Sequence, residues 1–527
     1  MGVRPRCQTP EIELPAPNAT AALFAALLAS LSLAQAARGA ELRMDGSYRL
    51  RLAGNTNLAL DDRPALLGQH TWWENRLRLT GKVIERTETS GFEVQMSFDI
   101  FDGLLAGDTA RDFQGLGWDG RSLKLSTDHT GFAFRSLFAE FRLPIGQVSI
   151  GQMPSHWGLG MVANSGNDED APDFGDVRFG DIVERALFAT KPLLPLFGPR
   201  GFANDVVVAV GVDLVYRDRF ASLVQRNGGG LEWGDAAWQG LAAAIWTPDE
   251  ATRVGFSATR RVQQFAKDAG NLHIWIFDGT ARTSHNYPAL DLQVTLEGEA
   301  AAVTGGTSHA TNLNATSSVK IAQQGFTGRV RFGLPQLEAE LEAGYASGDS
   351  NPFDDASTGF SFNRDYKVGL VLWDEVLLFQ SQNAAARLSD PNLVGRPPNG
   401  VDLLPTQGAV ANALYLKPTV RWRPAFFDGK VRVVGSVLWA RAPEPVVDAY
   451  QALLASAPRN AYGAAAGQDY GIELDGAISY REKVFNKLGV EVGAQYGVLF
   501  PGDVFARPDG TTLSKVVAFK LRAGLQF

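Results

Sequence analysis

The chain has 527 residues, with 56 Gly, one Cys, 10% aromatic residues and a formal net charge of −8. That acidic balance, without a contiguous basic face, argues against a nucleic-acid partner. After the N-terminal region no run of about 18 apolar residues free of charge occurs, which excludes a bundle of membrane helices, and the mean hydropathy of −0.08 suits either a soluble protein or sheets with one apolar and one polar face.

Arg4 and Arg6 precede an apolar run from Ala21 to Leu33, which is followed by Ala34-Gln35-Ala36, the small-x-small pattern of a cleavage site. Residues 1–40 are therefore expected to be a secretory signal and its flank, removed near Ala36, although the leader is long and carries Glu11 and Glu13. Cys7 lies before the apolar run, so the exported chain, residues 41–527, would contain no thiol, as suits passage through an oxidising compartment.

From residue 41 onward, alternation of period two recurs in segments of about ten to fourteen residues, the length a tilted strand needs to cross a bilayer. Leu42, Met44, Tyr48, Leu50 and Leu52 alternate with Arg43, Asp45, Ser47, Arg49 and Arg51, and a second segment carries Arg76, Arg78 and Lys82. Phe92, Val94, Met96, Phe98 and Ile100 oppose Glu93, Gln95, Ser97 and Asp99. Further on, Leu290, Leu292, Val294 and Leu296 oppose Asp291, Gln293, Thr295, Glu297 and Glu299, and Leu337, Ala339, Leu341, Ala343 and Tyr345 oppose Glu338, Glu340 and Glu342. Tyr470, Ile472, Leu474, Ile478 and Tyr480 oppose Asp469, Glu473, Asp475, Ser479 and Arg481. The last segment sets Leu513, Val517, Phe519, Leu521, Ala523, Leu525 and Phe527 against Ser514, Lys520, Arg522 and Gln526.

Any antiparallel sheet with one wet face alternates in this way. Three further features point to a membrane. The segments are about twice the usual strand length. Tyr345, Trp422, Trp439, Tyr470, Tyr480 and Tyr496 fall near segment ends, where aromatic girdles meet the bilayer interface. Short links at Leu143-Pro144-Ile145-Gly146, Thr247-Pro248-Asp249-Glu250 and Gly333-Leu334-Pro335-Gln336 alternate with long polar loops near residues 102–130, 154–183, 301–315 and 443–468. The expected fold is all-β, a transmembrane antiparallel β-barrel of about eighteen strands, within sixteen to twenty. Residues 347–410 hold one strand candidate, Tyr366 to Leu372, and the Pro/Gly-rich tract Gly395-Arg396-Pro397-Pro398-Asn399-Gly400. They form either a hairpin with a loop or one insertion folded into the lumen, and a connection this long favours the insertion. A helical piece is expected within Val446 to Ala457.

The C-terminal strand, with Phe519, Leu521, Leu525 and Phe527 at alternate places, resembles the sorting signal read by the outer-membrane assembly machinery. The chain beyond residue 40 resembles large porins of the alginate-export type. Through Gln152-Met153-Pro154-Ser155-His156-Trp157-Gly158-Leu159-Gly160 and Gly395-Arg396-Pro397-Pro398 it also resembles an uncharacterised family of delta-proteobacterial outer-membrane barrels. The resemblance implies residence in the outer membrane of a Gram-negative cell, among its lipid and lipopolysaccharide, and diffusion of small polar solutes. It carries no substrate.

If apolar faces meet lipid, polar faces line a lumen. Arg49, Arg51, Arg76, Arg78 and Lys82 would form a basic ladder, extended by Lys520 and Arg522. Glu338, Glu340 and Glu342, with Glu297, Glu299, Glu473 and Asp475, would form an acidic ladder roughly opposite, and Arg329, Arg331, Lys417, Arg421 and Arg423 add positive charge. Opposed ladders would set a transverse field across a wet pore. The plainer alternative is that these charges pair across neighbouring strands. Asn167-Asp168-Glu169-Asp170 with Asp173 and Asp176 lacks EF-hand spacing and reads as a solvated or lipopolysaccharide-associated surface loop rather than a Ca²⁺ site. Ser155 and His156 are strand neighbours that point to opposite faces, so they make no nucleophile and base. No metal or cofactor motif emerges. The expectation is a porin-like passive channel, with a plugged, non-conducting barrel acting as adhesin, scaffold or hydrophobic-ligand transporter as the alternative.

Overall fold

A computed structural model of the chain describes residues 40–56, 69–87, 90–107, 132–167, 172–177, 180–198, 201–221, 236–265, 270–309, 318–351, 353–395, 400–485 and 487–527. The proposed leader, Asp168 to Asp170 and the tract Arg396 to Asn399 lie outside the described residues.

The first strands are β1 (Glu41–Thr56), β2 (Gln69–Arg86), β3 (Gly91–Gly107), β4 (Phe132–Leu143), β5 (Gly146–Ser155), β6 (Asp181–Thr190), β7 (Val206–Arg217), β8 (Ala236–Trp246) and β9 (Arg253–Gln264). There follow β10 (Asn271–Tyr287), β11 (Leu292–Thr307), β12 (Val319–Gly333), β13 (Leu337–Ala346), the two-residue β14 (Ala356–Ser357), β15 (Ala413–Trp422), β16 (Val431–Arg441), β17 (Asp469–Phe485), β18 (Leu488–Pro501) and β19 (Val516–Gln526). Eighteen of these pair antiparallel in chain order, β13 directly with β15, while β14 lies parallel to β12 outside the circuit.

The sheet closes where β1 meets β19, in register from Ser47↔Gln526 to Thr56↔Val517. Beyond that ladder Gly46 and Phe527 exchange main-chain hydrogen bonds of 2.7 and 2.9 Å. A Cβ on Gly46 would stand 2.5 Å from the Phe527 ring, so any side chain there would have to displace that ring. Among the described residues closure leaves no unpaired edge in the eighteen-stranded circuit, which is the condition for a sheet in hydrocarbon.

The three short links expected from the sequence join β4 to β5, β8 to β9 and β12 to β13, at the barrel end that also holds both strand termini. Long connections leave the other end. β3 runs to Gly107 and β11 to Thr307, so each strand extends into the long polar segment expected to be a loop. The helix expected in the loop after β16 spans Ala449–Ala455 and is capped by the Asp448 carboxylate, which accepts from Gln451 N–H at 2.8 Å.

Outward faces are apolar. Leu341, Val420, Trp422, Val437, Trp439, Ile472, Leu474 and Tyr496 are all exposed. Tyr470 departs from the expected girdle and is buried against Trp373 and Phe505. Its reason is local: the β16–β17 register slips by one residue at Arg441↔Asp469, Gly471 takes φ +97°, and this bulge turns Tyr470 inward, where its hydroxyl donates to the Asn412 carbonyl at 3.1 Å. Leu513 also precedes β19 and is buried in the lumen. Tyr366 to Leu372 form no strand; the segment runs irregularly into a π-helical turn, Leu372–Leu377, that continues as the helix Leu378–Leu388. Its residues are buried on every side, so its apolar pattern reflects a packed core rather than a lipid face.

The hydrophobic core therefore lies inside the barrel. Met161 and Phe174 from the β5–β6 connection pack with Phe360, Phe362, Leu370 and Trp373 from the β13–β15 connection, against inward residues of β15 to β19.

Candidate functional site

Two walls of the lumen carry most of the charged positions singled out in the sequence. On β11, β12, β13 and β15 the registers Glu297↔Arg329, Arg331↔Glu340, Arg329↔Glu342, Glu338↔Arg421 and Glu342↔Lys417 set opposite charges face to face. Arg329 and Arg331 approach Glu297 at 2.6 and 2.9 Å, Arg331 reaches Glu340 at 2.5 Å, and Arg421 spans Glu338 and Glu340 at 2.6 and 2.8 Å. Lys417 stands 3.7 Å from Glu342. The acidic column on β13 is thus flanked by basic columns and neutralised within the sheet.

On β19, β1 and β2 like charges face each other, Arg49 opposite Arg76 and Arg51 opposite Arg522. Relief comes from within the wall, where Arg51 also faces Glu74, and from other elements. Arg51 reaches Glu74 at 3.3 Å, Arg78 grips Asp99 through two bonds of 2.7 and 3.0 Å, and Arg522 binds Glu491 at 2.7 Å. Lys82 near the rim lies 3.7 Å from Glu93. Asp176, from the β5–β6 connection, takes Arg49 at 3.2 Å and Arg51 at 3.3 Å. Asp374 and Glu375, from the β13–β15 connection, stand 3.5 and 3.6 Å from Lys520. The acidic and basic ladders are not opposite: the shorter path from β1 to β13 runs through β19, β18, β17, β16 and β15, six steps in a circuit of eighteen strands.

Both connections fold inward. Asp173 binds Arg421 through Nε at 2.7 Å and also pairs with Arg432, while Asp176 reaches β1, so residues 173–176 bridge β15 and β16 to β1 from inside the lumen. Asp173 and Asp176 are thus no surface loop. Burial pushes both carboxyls up, but Arg421 and Arg432 around the first, and Arg51 and Arg49 around the second, hold each at about 2. Glu299 accepts main-chain N–H groups of Leu159, Met161 (3.1 Å) and Val162 (3.2 Å). Gly158 makes room for it, since a Cβ there would lie 2.5 Å from the Glu299 carboxylate. Glu473, beside Asp475 on β17, accepts from Leu370, Val371 and Leu372 N–H at 2.6, 2.8 and 2.7 Å. Tyr366 and Tyr415 hydroxyls both donate to Glu342, at 2.9 and 2.8 Å. The two connections meet where Asn363 N–H donates to the Met161 carbonyl at 2.6 Å. Glu299, Glu473 and Glu342 therefore anchor infolded chain. A carboxylate on a strand face shows nothing of such main-chain partners in the sequence.

Among the described residues two cavities stand out inside the barrel. Toward the short-turn end one of about 720 Å³ is lined by Glu297, Arg329, Arg331, Glu338, Glu340 and Arg421, with Asp365, Tyr366 and Lys367. Toward the long-loop end one of about 420 Å³ has mainly apolar walls, including Phe220, Ile274, Ile321, Phe360 and Trp373. No lining residue is common to both. The segment from Phe360 to Tyr366 passes from one to the other, with Phe362 fully enclosed between T-shaped contacts to Phe360, Tyr366 and Tyr415. Ser155 and His156 do not meet: the Ser155 hydroxyl accepts from Arg185 at 3.1 Å, and His156 Nδ1 accepts from Ser165 N–H at 3.4 Å.

No family profile and no curated protein matches the sequence. Solved structures do match. Pseudomonas aeruginosa OccK9 (OpdG) superposes with a TM-score of 0.53 at 10% identity, covering 92% of this chain and 98% of that one. Pseudomonas aeruginosa OccK2 (OpdF), solved in complex with glucuronate, gives 0.52 at 7% identity over the same shares, 92% and 98%. The Pseudomonas aeruginosa outer-membrane protein OpdK gives 0.50 at 10% identity, again over 92% and 98%. The chain is thus a closed antiparallel eighteen-stranded β-barrel with the fold of outer-membrane porins.

Proposed function

We propose that the protein is a porin-like channel of the Gram-negative outer membrane that passes small hydrophilic or charged solutes by passive diffusion. The observation that carries this reading is a closed barrel with two internal cavities in series, divided by the infolded segment Phe360 to Tyr366. By the arrangement of such barrels, the short turns and both termini face the periplasm and the long loops face outward. Residues 1–40 serve as the export signal. Phe519, Leu521, Leu525 and Phe527 serve as the strand read by the assembly machinery, with Leu521, Leu525 and Phe527 exposed on the outer face.

Solute contact falls on the charged cavity, whose lining includes Glu297, Arg329, Arg331, Glu338, Glu340, Glu342 and Arg421. The basic wall of Arg49, Arg51, Arg76, Arg78, Lys520 and Arg522 sets the field above it. OccK2 was solved with glucuronate, so a sugar acid is the first solute to try. The finer likeness to alginate-export porins or to delta-proteobacterial barrels rests on the two sequence motifs alone; the three superposed structures named above are of neither kind. Single-channel recording in planar bilayers tests the proposal: discrete steps with a reversal potential shifted by sugar acids support it, and a silent bilayer overturns it. The apolar core inside the barrel favours the plugged alternative. A barrel silent as wild type but conducting after excision of residues 356–410 would establish that alternative.

A further inference from the structure

The lipid-facing wall of β5 to β10 carries a hollow of about 670 Å³. Its origin lies in the register. One row across the strands reads Ala186, Val212, Gly240, Arg260 and Trp275, and the row nearer the short-turn end reads Phe188, Val210, Ala242, Ala258 and Phe277. Small residues on β8 and β9 leave the hollow, a Cβ on Gly240 would meet nothing within 4 Å, and Trp238, Phe256 and Trp275 stand exposed around it.

A cation stands in this apolar face. Arg260 lies with its guanidinium 5.6 Å from the centre of the Trp275 ring and has no ion pair among the described residues. One row nearer the long-loop end, on the same outer face, His273 and Lys320 occupy the register His273↔Gly306↔Lys320, and both are exposed. Two strand spacings separate them, about 10 Å. Charges facing hydrocarbon are costly without an anionic partner, and least so at the headgroup level where Trp residues gather.

We propose that this hollow is a binding site for the phosphorylated, acylated glycolipid of the outer leaflet. One acyl chain lies over Gly240, Ala242 and Ala258, and a phosphate is held by Arg260 with His273 and Lys320. The inference rests on the outer-membrane reading, which places the long-loop end at the outer leaflet. The concave shape favours a lipid over a second copy of the chain, because two copies meeting about a two-fold axis would lay hollow against hollow. Glu184, outward on β6 in the row of Trp238, is the feature a copy would draw on.

The test is native mass spectrometry of the full-length, detergent-extracted protein incubated with bisphosphorylated lipid A. Wild type should retain one lipid. Retention should fall at least ten-fold in Arg260→Glu/Lys320→Glu, and equally in Gly240→Leu/Ala242→Leu, which fills the hollow and keeps the cations. Lipid A stripped of phosphate should bind wild type as weakly as the charge variant does. Equal retention by wild type and both double variants overturns the site. So does a disulfide-linked dimer of Ala242→Cys in native membranes, since Cys7 is the only cysteine in the sequence and lies far from the barrel wall in the chain. Heat-dependent gel mobility reports folding of each variant. Conductance reports the channel separately, because none of these residues lines either cavity.

Discussion

The β11–β12–β13–β15 wall and the β19–β1–β2 wall are built from the same one-dimensional pattern, a charge at every second residue, yet they behave differently. In the first, neighbouring strands carry opposite signs in register, so the wall neutralises itself through Arg331–Glu340 and Arg421–Glu338. In the second, Arg49 faces Arg76 and Arg51 faces Arg522, and Asp176, Asp374 and Glu375 arrive from loops to complete it. Infolded chain thus supplies three carboxylates to the basic wall, whereas the wall around β13 and β15, largely paired within itself, takes one, Asp173 on Arg421. Loops that leave would expose a basic surface on one side of the pore.

Removing residues 356–410 is the harshest way to break this contrast. Conductance should rise several-fold, and the reversal potential in a KCl gradient should move toward anions, because Lys520 loses both carboxylates; an unchanged potential would show that the walls are equivalent. Glu473→Ala comes next. It strips the acceptor from three buried N–H groups at about 1–3 kcal/mol each, so the segment around Leu370 to Leu372 should lose its hydrogen-exchange protection while the barrel stays folded. Asp176→Ala breaks a buried pair, a change of about 3–5 kcal/mol locally, and should increase anion selectivity, whereas Glu338→Ala in the self-paired wall should shift selectivity less. The wild-type Asp176 latch should hold at all pH values above the ordinary carboxyl range and be lost only as pH falls toward about 2.

A gentler probe is pH. Burial, opposed by Lys520 and reinforced by Asp374, raises Glu375 from 4.5 to about 7. Ionising it therefore weakens the docked insertion as pH rises from 4.5 to 7, with no further loss above. Open-channel fluctuations should grow across that window and become pH-independent in Glu375→Gln. The smallest effect belongs to Lys82→Ala at the half-exposed rim pair with Glu93, within about 0–1 kcal/mol and without a change in selectivity.

Much of the barrel is legible in the sequence because hydrocarbon and water impose period two directly on each strand. Leu337 to Tyr345 is read almost to its observed bounds, Leu337–Ala346. The interior is not legible in the same way. Asp173 and Arg421 lie 248 residues apart, and an acidic loop looks the same in sequence whether solvent or an arginine neutralises it. Tyr470 misleads for another reason, since the one-residue bulge at Gly471 inverts its side and leaves no trace in the alternation before it. Tyr366 to Leu372 read as a strand because apolar residues buried on all sides mimic one buried on two.

The joint between Gly46 and Phe527 has a consequence for how the molecule is made. Since β1 and β19 are each other's partners, the ring can be completed only after β19 has been delivered. Every shorter chain is an open ribbon with two sticky borders. Phe527 belongs to that joint, so a change of its side chain would be felt beside Gly46, on the first strand of the ring.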